Sequence, residues 1–70
     1  MEQELIKAQA LFDYYTERVN RDRANGDFQG ANGWLYMLLG AMAMFDALQG
    51  AECTLDEQDG IISVTVYEAD

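Results

Sequence analysis

Apolar residues recur along the first third of the chain at a helical interval. Turning about 100° per residue, Leu5, Ala8, Leu11, Phe12, Tyr15 and Val19 fall within one arc of about 120°. This spacing predicts a helix over residues 3–24 with that arc as its core face. Asn25-Gly26 then supplies a residue able to take the left-handed conformation that ends helices, and Asp27 carries a carboxylate for the free amides that open the next one. A second helix is expected over 27–49 with Gly50 as its stop, or starting as late as Asn32. A link this short makes the pair an αα-hairpin.

The period then changes. Ala51, Cys53 and Leu55 alternate with Glu52, Thr54 and Asp56, and residues 61–67 are rich in β-branched side chains. Strands over 51–56 and 61–67 are predicted, joined as a β-hairpin through an acidic turn. Ile62, Val64 and Val66 are expected to point at the helices, and Ile61, Ser63, Thr65 and Tyr67 outward. With no proline, repeat or linker, the chain reads as a single α+β domain over 1–70, an αα-hairpin followed by a β-hairpin in the order ααββ.

The second helix has no polar side. Trp34, Leu35, Met37, Leu38, Leu39, Ala41, Met42, Met44, Phe45 and Leu48 occupy almost the whole circumference, interrupted chiefly by Asp46. A helix apolar all round is normally buried all round, yet the first helix covers one side, the hairpin a second, and little chain remains for a third. Each large side chain left in water forgoes roughly 1.5–3 kcal/mol, a large share of a small domain's stability. A covering surface is therefore expected. The simplest is a second copy, a twofold dimer in which this helix packs on its mate through Leu35, Leu39, Met42 and Asp46. Gly30, Ala31 and Gly33 would permit close approach of another backbone, and the methionines serve either as gap-fillers or as an adaptable binding surface.

Size and composition sharpen this. A chain of 70 residues buries only about 60–65% of its unfolded surface, so small domains lean on disulfides, metals or association. The single cysteine, Cys53, forms no internal disulfide, and without histidine no zinc set of Cys and His can assemble. No metal and no cofactor are expected. The opening residues lack the basic and apolar segments of a secretory leader, and the apolar run over 34–48 spans roughly 22 Å against a hydrocarbon core of roughly 30 Å. These features favour a cytoplasmic protein away from membranes.

Thirteen acids against four bases give a net charge of −9. All four bases, Lys7, Arg18, Arg21 and Arg23, precede residue 24, and everything beyond is a field of one sign. Such a field repels nucleic acid and anionic lipid and attracts basic proteins, besides conferring solubility. Asp27, Glu52, Asp56, Glu57, Asp59 and Glu68 are the candidate docking residues for a basic partner protein. No direct nucleic-acid binding is expected.

Catalytic sets are missing. Without histidine there is no Ser/His/Asp arrangement, and Gly26, Gly30 and Gly33 neither follow a strand nor precede a phosphate-loop lysine. Asp46 has no second carboxylate at helical spacing. Aligning Gly60 with the calcium-loop glycine puts Leu55 and Val66 where acids are required. Cys53 reads as a small buried apolar residue with no nearby cation to stabilise its thiolate. The chain is therefore read as non-enzymatic.

Lys7, Tyr14, Arg18 and Arg21 share an arc of about 60° on the far side of the first helix, an aromatic among cations. That pattern supports an alternative, a sensor of a small anionic ligand or nucleotide, with a pocket near Trp34 and Tyr36. The same face also reads as a solvated one crossed by ion pairs, Glu17 with Arg21, Arg18 with Asp22 and Glu4 with Lys7. In size, acidity and absence of catalytic equipment, the chain is similar to small accessory proteins of phages and mobile elements. Some of these act as inhibitors that block nucleic-acid-binding proteins by mimicking a negative surface.

Overall fold

The computed structural model describes residues 2–47 and 51–68, in the order α1 (Glu2–Ala24), α2 (Phe28–Asp46), β1 (Ala51–Gln58) and β2 (Ile61–Glu68). This is the expected ααββ arrangement. The continuation of the second helix through Leu48 and Gln49 to a stop at Gly50 lies outside the described residues, as does Asp70.

Local chemistry sets the boundaries. Gly26 takes φ +78° and closes α1 with two bonds, its own N–H to the Arg23 carbonyl at 3.1 Å and the Asp27 N–H to the Asp22 carbonyl at 2.8 Å. Asp27 then caps α2, accepting the Gly30 N–H at 2.9 Å. The hairpin turn is tighter than expected: only Asp59 (φ 55°) and Gly60 (φ 80°) lie outside the ladder, so β1 runs on through Gln58, which pairs with Ile61. Two consecutive positive φ angles match the twist of the flanking strands, which lets Asp56 and Glu57 stay in β1 rather than form the turn.

α1 lies along both α2 and β2, while α2 touches β1 more lightly. The core holds Phe12 and Val19 of α1, Ala31 and Leu38 of α2, and Cys53, Ile62 and Val64 of the hairpin, with Phe45 standing edge-on to Phe12 at 5.6 Å. Strand alternation falls as predicted for β2: Ile62 and Val64 are buried, Val66 half-buried, and Ile61, Ser63, Thr65 and Tyr67 exposed.

The core face of α1 differs from the expected arc. Leu11 is exposed, while Thr16 and Asp22 are buried. Because α1 is flanked by α2 on one side and β2 on the other, its buried stripe centres on Phe12 and Val19, and Leu11 falls at the rim of the α1–α2 seam. Thr16 bonds the Asp13 carbonyl at 3.0 Å, and Asp22 accepts from Arg21 at 3.3 Å. Toward the sheet, α1 presents two amides. Gln9 donates to the Val64 carbonyl at 2.7 Å and accepts the Val66 N–H at 3.0 Å, and Asn20 exchanges both bonds with Ile62.

Candidate functional site

The six candidate docking acids are exposed, but they do not converge on one spot. On the outward face of the hairpin, Glu52 stands opposite Tyr67, and Asp56 opposite Ser63. The Glu52 carboxylate takes the Tyr67 hydroxyl, which holds that phenol above its usual range. Glu57 accepts from Arg23 at 2.6 Å, and the same guanidinium nitrogen reaches the Gly60 carbonyl at 3.2 Å, tying α1 to the turn. Asp27 is engaged as the cap of α2. Asp56, Asp59 and Glu68 are left without an ion-pair partner among the described residues. Asp56 and Asp59 share an open hollow with Gln58, Ile61 and Ser63.

The uncovered side of α2 is real but lies elsewhere on the wheel. Leu35 and Met42, expected on the association face, pack against the core, and Asp46 turns to the hairpin; of that set only Leu39 is an exposed apolar side chain, at 42%. The exposed stripe is instead Gly33, Met37, Gly40 and Met44, spaced four, three and four residues, with Tyr36 and Ala43 beside it. Met44 is 77% and Tyr36 74% exposed. This face carries no charge. Periodicity could not separate the two flanks, because both are apolar.

Gly33 and Gly40 have nothing within 4 Å of where a Cβ would stand, so neither admits a neighbouring backbone within this fold. Gly30 is different. A Cβ there would stand 2.5 Å from Asp27 Oδ2 and 2.9 Å from Asp22 Oδ2, so its bareness makes room for the cap.

The cationic face of α1 is already occupied by its own neighbours. The Arg18 guanidinium carbon lies 4.8 Å from the Tyr14 ring centroid and 5.6 Å from that of Trp34, with the two rings edge-to-face at 6.0 Å. Arg21 pairs with Asp22 rather than Glu17. Of the four anion-binding candidates, only Lys7 stands exposed without a charged or aromatic partner among the described residues.

Cys53 is buried, and Asp46 Oδ1 accepts its S–H at 3.4 Å. Burial first, and the Asp46 carboxylate second, push this thiol up to about 11, which makes it a poor nucleophile at neutral pH. The inward position of Cys53 follows from strand alternation, whereas its partner Asp46 sits on another element and has no local signature.

The strand-clamping role of Gln9 and Asn20 is not among the sequence expectations. The available signal was that both amides lie eleven residues apart, three helical turns, on the flank of the apolar arc of α1. No protein-family model matches this chain, and no curated protein or solved structure matches it either.

Proposed function

We propose that this chain is a non-catalytic interaction protein that docks on a basic partner protein through its hairpin and joins a second copy through the uncharged face of α2. One observation carries the docking reading. Every charged side chain on the described hairpin is an acid, namely Glu52, Asp56, Glu57, Asp59 and Glu68, and among the described residues the one cation that reaches them, Arg23, is spent on Glu57 and Gly60. A one-sign surface held rigid on a strand pair gives orientation and on-rate with cationic proteins and rejects polyanions. An inhibitor that occupies the basic surface of a nucleic-acid-binding protein fits this description.

The Gly33, Met37, Gly40 and Met44 stripe supports the second half. Its bare glycines let another helix approach closely, and covering Met37, Met44 and Tyr36 regains roughly 1.5–3 kcal/mol for each side chain fully buried.

Titration of folded basic proteins at rising sodium chloride tests the docking reading. Affinity is expected to fall at least about tenfold between low and physiological salt, and to collapse in a variant carrying Asp56→Asn, Asp59→Asn and Glu68→Gln. Binding indifferent to salt and to those changes refutes it. For self-association, sedimentation of the wild type against Met37→Lys with Met44→Lys is decisive, since a wild type that stays monomeric at high concentration removes the need for a companion.

A further inference from the structure

The two edges of the hairpin are treated differently. In an antiparallel ladder, residues whose N–H and C=O groups point away from the partner strand alternate with those that bond across it. On β2 the outward set is Ile62, Val64 and Val66, since their backbone groups go to Asn20 and Gln9 of α1. Their cross-strand partners are Glu57, Leu55 and Cys53, so these three direct their own backbone groups out of the opposite edge.

Among the described residues no side chain or backbone group hydrogen-bonds the β1 backbone on this edge, and α2 offers no counterpart to Gln9 and Asn20. On α2, the Asp46 carboxylate and the Met42 carbonyl face the Cys53 thiol rather than the strand backbone, and Leu39, two turns before Asp46, is apolar and exposed. One edge is sealed by two bidentate amides, and the other is a strand of eight residues whose groups are open among the described residues. Open edges of that kind accept an added strand.

Charge selects the occupant. Pairing β1 with β1 of a second copy about Leu55 sets Asp56 diagonal to the Asp56 and Glu52 of its mate, with no cation on either strand to relieve them. Parallel pairing in register stacks like on like directly. An extended segment bearing lysine or arginine at alternate positions would instead lay its cations beside Glu52 and Asp56 while its backbone bonds Cys53, Leu55 and Glu57.

We propose that the free edge of β1 takes up an extended basic segment of the partner protein as a third strand. The proposal rests on the acidic-docking reading above and names how that docking is made.

The test uses the full chain and a short peptide of alternating lysine and valine, prepared also in two forms N-methylated at one or the other set of alternate residues. All three carry the same charge. The parent and one methylated form are expected to bind and to slow amide exchange at Cys53, Leu55 and Glu57, while the form whose methyl groups face the edge binds roughly tenfold or more weakly. Leu55→Pro, which removes an N–H that no ladder bond uses, is expected to weaken the parent peptide likewise.

Equal binding of all three peptides, without protection on β1, overturns the added strand and leaves acidic docking standing. Absence of binding by any of them also overturns it, with the salt titration of folded proteins judging the docking reading separately. Protection of Cys53, Leu55 and Glu57 in the free protein that grows with its concentration assigns the edge to a second copy and overturns it too.

Discussion

Asn20 holds Ile62 by both of its backbone groups, donating from Nδ2 to the carbonyl at 3.0 Å and accepting the N–H on Oδ1 at 2.9 Å. Eleven residues earlier on α1, Gln9 bridges Val64 and Val66 in the same way. Together they fasten the outer strand edge to a helix.

Loss of either clamp leaves partly buried backbone groups unmet, at about 1–3 kcal/mol. Asn20→Ala and Gln9→Ala are each expected to lower the urea midpoint accordingly. Asn20→Asp should cost a similar amount, because it keeps the acceptor but sets a carboxylate against the Ile62 carbonyl. Variants that unfold at the wild-type urea concentration would show the clamps to be incidental.

The helical glycines of α2 are expected to differ in sign. Gly33→Ala and Gly40→Ala meet open space and should stabilise the monomeric fold by about 0.5–1 kcal/mol. Gly30→Ala drives a methyl group into Asp27 Oδ2 and should destabilise by about 1 kcal/mol or more through loss of the cap. Thermal melts of the three variants at low concentration read this directly, and a stabilised Gly30→Ala contradicts the cap geometry.

Alkaline pH should weaken the fold through Cys53. Its thiol is raised from 9.0 to about 11 in the folded chain, so below about pH 9 both states hold the proton and the contribution is complete. As pH climbs from 9 toward 11 the unfolded chain ionises first, and on the order of 2 kcal/mol is lost. Tyr67, raised by Glu52, acts in the same direction. Cys53→Ala should flatten part of that slope. Asp46→Asn should shift the pH midpoint of iodoacetamide alkylation downward, and an unmoved midpoint would separate Asp46 from the thiol.

The Arg18 guanidinium against Tyr14 and Trp34 is worth about 0.5–2 kcal/mol. Arg18→Ala should cost about that much and alter Trp34 emission. Sodium phosphate and a nucleoside diphosphate should leave wild-type emission unchanged, because the ring contacts and Asp22 already engage Arg18 and Arg21. A saturable response to either would restore the anion-sensor reading.

Sequence determined what is local. Helical spacing, the Asn25-Gly26 stop, the Asp27 cap and the alternation of Ile62, Val64 and Val66 all act over a few residues, and they specify the ααββ order without distant contacts. The one-sign charge of the hairpin is equally a property of the chain, and so is the exposure of its acids. Which flank of α2 is covered was decided only in three dimensions. Leu35 and Met42 pack inward while Tyr36, Met37 and Met44 face out, since an all-round apolar helix has no polar side to fix its rotation. The pairings of Gln9 with Val64, Asn20 with Ile62, Arg23 with Glu57 and Asp46 with Cys53 likewise join residues far apart along the chain or on different elements. No periodicity encodes such pairs, because they depend on where packing sets one element against another. The same packing seals the edge of β2 and, among the described residues, leaves that of β1 open.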